Sequence, residues 1–301
     1  MKLSSAQSEV SVDPVLLRLK QMVVDSMNAA NSKRNYAKGL DHLFAFANSR
    51  PLTRDVLLAW RASMVNQSPP TVNIRLSAMR RLVVEARRVG ILSSEDAANL
   101  TDVPNMKQAG TRKGNWLTRE QAKDILAVPD RSKLKGKRDY VILSLLVACA
   151  LRRTELAELD VMTIQQREGR WVLADLEGKG RRIRTVPIPI WVKVGIDGWM
   201  AAANIKKGRL LRPIRKGGKI GGESLSDWAV WSVVEQAAKQ IGIEHFGAHD
   251  LRRTCAKLCR KAGGDLEQIK FLLGHSSIQT TERYLGSEQE FQIAVNDNLG
   301  L

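Results

Sequence analysis

From Val15 to about Leu100, apolar residues recur every three or four positions, in VLLRLKQMVVDSM, YAKGLDHLFAFA, DVLLAWRASMV and VNIRLSAMRRLVVEARRVGIL. That period fits one face of a helix and not a strand, so this third of the chain buries its apolar side chains as a bundle of four or five short helices. Breaks fall at 49–52, 67–71 and 89–93. Pro51, Pro69 and Pro70 are expected to open the helices that follow, because a missing N–H costs nothing in a first turn. The period is then lost over TDVPNMKQAGTRKGNW, residues 101–116, which collects Pro, Gly, Asn and basic residues as an interdomain linker does. Thr118 and Gln121 have capping-box spacing, so a new domain is expected from 117 to 301. At 301 residues the chain suits two cores better than one.

The second domain mixes periods. RDYVILSLLVACAL is strongly apolar and reads as a helix buried on most sides. DVMTIQQ, WVLADLE and RIRTVPIP are short runs separated by REGR and GKGR, the pattern of a three-stranded antiparallel meander, with Lys179 in the second turn between two glycines. Ser226 is placed to cap a helix through Lys239. The expected fold is mainly α with a small antiparallel β-meander: an all-helical domain over 1–100 and an α+β domain after the linker.

Charge narrows the partner. Lys and Arg outnumber Asp and Glu by 48 to 31, a net +17 that attracts polyanions. The excess is spread over both domains, as a two-domain clamp on nucleic acid requires and a basic tail does not. Lys33, Arg34, Arg75, Arg80 and Arg81 on the helices, Arg181 and Arg182 at the hairpin, and Arg215 and Lys216 are the candidate contacts. The last two lie in a segment, 206–219, where seven of fourteen residues are basic and none is acidic. An acidic membrane surface is the weaker reading, since no run is long enough to span a bilayer and the N-terminus lacks a signal peptide's apolar core. Three cysteines, Cys149, Cys255 and Cys259, sit in apolar helical patterns without framework or zinc spacing, which points to core packing in a reducing cytoplasm. His42 and His245 are read as structural or surface histidines, and the tryptophans as core or domain-face residues.

The chemistry concentrates in HDLRRTCAKLCRKAGGDLEQIKFLLGHSSIQTTERY, His249 to Tyr284. His249 and Arg252, at i and i+3 on a helix, share a face and can grip one phosphate. Arg152 and Glu155 repeat the spacing in ALRRTELAEL, where a surface ion pair is the ordinary alternative.

Four motifs in order, ALRRTEL, EGKGR, HDLRRT and LLGHSSIQTTERY, resemble the boxes of the tyrosine recombinases of the phage integrase family, and the helical first domain resembles that family's core-binding domain. The resemblance implies a catalytic set of Arg152, Lys179, His249, Arg252, His275 and Tyr284, supported by Glu155. Tyr284 would be the nucleophile forming a 3′-phosphotyrosyl bond, the two arginines would hold the phosphate, and Lys179 would protonate the leaving 5′-oxygen. His249 would exchange the proton of Tyr284 or orient it, and His275 would hydrogen-bond the phosphate. The resemblance further implies no metal and no nucleotide cofactor, a specific duplex DNA site, a tetramer on two sites, and strand exchange through a Holliday junction in the cytoplasm. Two positions depart from the usual pattern: Ala150 stands where glycine often precedes the first box, and Arg253 where histidine is frequent. About a dozen residues precede the helices, too few for an arm-binding domain. The tail after Tyr284 carries a short apolar patch, Phe291, Ile293, Ala294 and Val295, suited to a neighbouring protomer or to its own domain. A type IB topoisomerase, a telomere resolvase and a non-catalytic DNA-binding protein are the alternatives.

Overall fold

The computed structural model describes residues 13–107, 115–178 and 182–286. The chain divides into two compact units, Met1–Arg112 and Lys113–Leu301.

The first unit is helical: α1 (Pro14–Asp25), α2 (Ala30–Ala47), α3 (Arg54–Ser63), α4 (Pro69–Arg88) and α5 (Ser94–Thr101). Pro69 and Pro70 open α4 as expected. Pro51 does not open α3: that helix starts at Arg54 behind an extended Thr53, with Asp55 in its first turn where a carboxylate favours the helix dipole. α4 lies against α1 and α2, and Leu40, Leu43, Leu57, Trp60, Leu76 and Met79 are wholly buried at the centre. Each such side chain contributes roughly 1.5–3 kcal/mol on leaving water. The residues after α5 are fastened to α4. Arg80 donates to the carbonyls of Thr101 and Val103 and to Asn105, while the Asn73 side chain exchanges two hydrogen bonds with the backbone of Met106.

His42 is structural. The buried indole of Trp60 donates to its Nδ1 at 2.9 Å, which requires a neutral ring protonated on Nε2. Burial, and then the charge of Arg75, lower its pKa from the ordinary 6.5. The unfolded chain therefore binds the proton first, and stability present above about pH 6.5 declines as pH falls toward the folded-state value. Urea melts at pH 7.5 and 5.5 should show a smaller pH dependence for His42→Asn than for wild type. An equal dependence would rule out this role.

The second unit opens with α6 (Arg119–Ala127), whose Thr118–Gln121 capping box is formed. α7 (Leu134–Cys149) is buried on all sides through Val141, Ile142, Leu143, Leu145 and Leu146 and packs on later helices. Then come α8 (Arg153–Ala157), the strands β1 (Ile164–Arg167), β2 (Arg170–Glu177) and β3 (Ile183–Pro187), and α9 (Ile190–Ala203), α10 (Asp227–Gln240), α11 (Ala248–Lys261), α12 (Leu266–Leu273) and α13 (Ile278–Leu285). The strands form an antiparallel sheet in the order β1-β2-β3, the expected meander. Between Leu173 and Leu176 the β2–β3 register shifts, with Asp175 at φ 54°, and beyond this bulge Leu176 pairs with Arg184. A bulge re-aims the side chains that follow it. Here Arg184 lies on the same inward face of β3 as the buried Val186.

Ser226 caps α10 by accepting from the Ala229 N–H. Cys149 and Cys255 are buried, Cys259 is partly so, and all are unpaired thiols. Trp199 is wholly buried, whereas Trp228 is 66% exposed and takes no part in the core. Among the described residues no helix is long and apolar enough to cross a membrane.

Candidate active site

The site is assembled where α7 ends. Ala150 takes a left-handed conformation, φ 49° and ψ 36°, which turns the chain away from the helix axis. Glycine reaches that conformation without strain and alanine does not, which gives the glycine usual at this position a physical reason. Arg152 follows in extended conformation as the N-cap of α8, not within a helix as the i, i+3 reading assumed. Glu155, in the first turn, accepts the backbone N–H of Arg152 at 2.8 Å on one oxygen and its Nη1 at 2.6 Å on the other.

Arg252 reaches the same place from α11. It is 1% exposed, and its two terminal nitrogens donate to the carbonyls of Ala150 and Leu273. Burial, and then the nearby Arg152, lower its pKa to about 10, so it remains a cation at neutral pH. The Leu273 carbonyl also accepts from Arg152 Nη2 at 3.4 Å. It lies at the C-terminal end of α12, where unsatisfied carbonyls carry the negative end of the helix dipole. A guanidinium has about five N–H donors. Each of these two commits two of its terminal donors to protein oxygens, so each retains N–H groups for an anion.

Gly274 closes α12 at φ +61°, and a Cβ there would approach Arg184 Cδ at 2.9 Å. Arg184 cannot yield freely, because Glu155 and Leu272 hold its guanidinium. Gly274→Ala is therefore expected to lower stability by roughly 1–2 kcal/mol from the backbone alone, read as a shift in denaturation midpoint. An unchanged midpoint would contradict the packing described.

Beyond Gly274, His275 Nδ1 lies 3.1 Å from Thr281 Oγ1 on α13, which fixes the ring. Burial and the surrounding arginines, Arg252 first, lower its pKa to about 4. Tyr284, on the same helix, has both imidazoles edge-on to its ring, His249 at 5.3 Å and His275 at 5.2 Å between centroids. The Arg253 guanidinium lies over the phenol ring at 5.1 Å, so the residue that departs from the usual histidine supplies a cation beside the tyrosine. The Tyr284 hydroxyl donates to the His249 carbonyl at 3.2 Å. Burial outweighs the neighbouring arginines and pushes its pKa up to about 12. His249 is itself shifted down, by desolvation first and then by Arg253 and Arg252. A cleft of about 330 Å³, lined by Arg152, Arg153, Trp231, His249 and Arg252 among others, opens beside these groups.

The structure thus brings Arg152, Glu155, His249, Arg252, His275 and Tyr284 together. Lys179 and Arg181 lie outside the described residues, as does the tail with Phe291, Ile293, Ala294 and Val295. Gly178, next to Lys179 in sequence, stands against the site: a Cβ there would meet Arg152 Nη1 at 3.1 Å and Glu155 Oε1 at 3.4 Å. Of the candidate DNA contacts, Arg34, Arg182, Arg215 and Lys216 are exposed and Lys33 and Arg75 partly so. Arg80 is engaged with the segment after α5, and Arg81 pairs with the buried Glu85 at 3.1 Å. Arg184 was not singled out from sequence. Its only signal there is alternation within RIRTVPIP, which puts it on the buried face of a strand beside an apolar residue.

The model of the phage integrase family matches residues 115–290. A tyrosine recombinase of Synechococcus elongatus is 29% identical over 93% of this chain and 92% of its own length, and the tyrosine recombinase XerC of Thermodesulfovibrio yellowstonii is 28% identical over 93% of each. Among solved structures, a XerH site-specific recombinase in a post-cleavage complex with a palindromic difH substrate superposes with a TM-score of 0.73 at 18% identity, covering 92% of this chain and 94% of that one. A lambda integrase dimer bound to a core site gives 0.71 at 16%, covering 92% and 79%. The chain therefore belongs to the phage integrase family and is a tyrosine recombinase, an enzyme that cleaves and rejoins DNA.

Proposed function

We propose that Tyr284 is the nucleophile of this reaction and that Arg152 and Arg252 hold the scissile phosphate. The observation that carries the reading is the meeting of both guanidinium groups at the Leu273 carbonyl, beside a tyrosine flanked by two histidines that burial and nearby arginines bias toward the neutral form. The phenol oxygen attacks phosphorus, the bond to the 5′-oxygen breaks, and a 3′-phosphotyrosyl ester forms. The phenol proton passes to the neutral imidazole of His249, and Lys179 protonates the departing 5′-oxygen. Arg152 and Arg252 stabilise the charge that builds on the non-bridging oxygens through their remaining N–H groups, a geometry that lysine cannot copy. His275 adds a hydrogen bond to the same phosphate, and Glu155 positions Arg152. Attack by a 5′-hydroxyl from a second strand reverses the step and expels the phenol, so the number of phosphodiester bonds is unchanged.

The substrate is duplex DNA carrying a specific recombination site. Four copies on two sites exchange strands through a Holliday junction in the bacterial cytoplasm. The first unit serves as the core-binding domain and the second as the catalytic domain, with Lys33, Arg34, Arg75, Arg181, Arg182, Arg215 and Lys216 as contacts to the sugar-phosphate backbone.

The test is covalent selection. The protein is mixed with nicked duplexes of randomised sequence, and protein–DNA adducts are recovered and sequenced. Recovery of a defined sequence as a proteinase-sensitive adduct supports the reading, and recovery of no adduct rejects it. A plasmid with two copies of that sequence then separates the products: recombinants support strand exchange, relaxation alone indicates topoisomerase-like action, and hairpin ends indicate telomere resolution.

A further inference from the structure

Three cations, Arg152, Arg184 and Arg252, surround one carboxylate, Glu155, and the roles above employ only two of them. Arg184 makes a two-point ion pair with Glu155, Nη1 to Oε1 at 3.0 Å and Nη2 to Oε2 at 2.8 Å. Its Nε donates to the Leu272 carbonyl at 3.2 Å, one residue before the carbonyl shared by Arg152 and Arg252. Both side chains are nearly closed to solvent, 8% exposed for Arg184 and 5% for Glu155. Arg152 is more open at 29%. The partly open arginine is the one that faces the cleft, and the closed one holds the carboxylate from behind.

Charge accounting gives this arrangement a purpose. A buried carboxylate paired with Arg152 alone would neutralise it, leaving little attraction for a phosphate. With Arg184 as the second partner, Glu155 is balanced from the strand side, and Arg152 keeps its orientation while retaining positive charge for an incoming anion. We infer that Arg184 is a positioning residue of the reaction: by clamping Glu155 against the end of α12, it aims the Arg152 guanidinium and leaves the charge of that arginine available to the scissile phosphate. The inference rests on the reading of Arg152 as a phosphate ligand. It also accounts for the close packing around Arg184, since side chains at Gly178 and Gly274 would reach its guanidinium at 3.3 Å and its Cδ at 2.9 Å.

The pH behaviour of Glu155 supplies an independent readout. Burial pushes the carboxyl upward. The hydrogen bonds and charge of Arg184, together with the backbone and side-chain hydrogen bonds of Arg152, overcome that push and bring it to about 2. The charged groups around it are Arg152 from the turn before α8 and Arg184 from β3, with Arg252 from α11, His275 after α12 and Tyr284 on α13 beyond them. Removing Arg184 leaves the upward push of burial less opposed, so protonation of Glu155 moves toward the working range.

The experiment measures single-turnover cleavage and DNA affinity on the nicked duplex recovered by covalent selection. The proteins are wild type, Arg184→Met, Arg184→Lys, Glu155→Gln and the two double variants. Arg184→Met is expected to cleave about 10²-fold more slowly, the scale of a misplaced catalytic group, with DNA affinity within about twofold of wild type. Combined with Glu155→Gln it should lose no more than the worse single variant, because both act on the same arginine. Its rate should fall on the acid side of neutrality at a pH where wild type stays flat. Arg184→Lys, which keeps the charge but not the fork, should recover at least about tenfold over Met, and it carries the same comparisons if the Met protein does not fold. An unchanged rate, a loss confined to DNA affinity, or losses that multiply in the double variants would overturn the inference. Absence of an adduct from wild type would instead reject the reading of the reaction itself.

Discussion

Tyr284→Phe protein is expected to bind its DNA site with wild-type affinity and to form no covalent adduct on a denaturing gel. Phenylalanine keeps the edge contacts to the His249 and His275 rings and the stacked Arg253 guanidinium. It loses one hydroxyl, whose hydrogen bond to the His249 carbonyl at 3.2 Å contributes on the order of 1 kcal/mol. The variant should therefore fold normally, and the comparison isolates chemistry. A phenol held near 12 is almost wholly protonated at neutral pH, so the free protein is not armed. On the proposed reading, the phosphate docks on the arginines and the hydroxyl leaves the His249 carbonyl before attack. The chain has two other tyrosines, Tyr36 and Tyr140. Tyr140 is engaged with the Arg131 guanidinium at 4.7 Å. An adduct that persists in Tyr284→Phe would move the nucleophile to one of them and overturn the assignment.

The second large effect is expected at Arg252. Arg252→Lys keeps a positive charge but cannot donate to the Ala150 and Leu273 carbonyls while presenting a planar fork to the phosphate. Cleavage should fall by about 10²–10³-fold, the range seen when one preorganised donor to a developing oxyanion is removed. A lysine that fails to reach the Ala150 carbonyl leaves that buried acceptor without the donor it has in wild type, which costs about 1–3 kcal/mol. Rates should be compared well below the melting midpoint. A Lys variant within about threefold of wild type at neutral pH, folded and saturated with DNA, would show that charge alone suffices and that the fork is dispensable.

Much of this architecture was legible in the sequence because it is written in local terms. The helical period, the capping box at Thr118 and the two turns of the meander each depend on neighbouring residues, and the four boxes bring their reactive groups in fixed spacing. What stayed hidden depends on register or on distant partners. Arg184 finds Glu155 only because β3 pairs with β2 beyond a bulge, where Asp175 takes a positive φ that no residue pattern in WVLADLE announces. Arg80 and Arg81 read as contacts for an outside anion, yet each has partners within its own unit, through the segment after α5 and through Glu85. Pro51 illustrates the same limit in miniature. Its fixed φ suits a first turn, but Thr53 and Asp55 set the start of α3 later.

The end of α12 has a consequence for how variation at this site should be interpreted. The carbonyls of Leu272 and Leu273 receive three guanidinium groups, and neither leucine contributes a polar side-chain atom. Every amino acid carries that oxygen, so a substitution scan would register Leu273 only as an apolar position and remain blind to the acceptor itself. A peptide-to-ester exchange between 273 and 274, which weakens the carbonyl without altering any side chain, would expose it. The leucine side chains answer to the core they fill, while the anchor for the cations is held by the backbone and not by the genetic code.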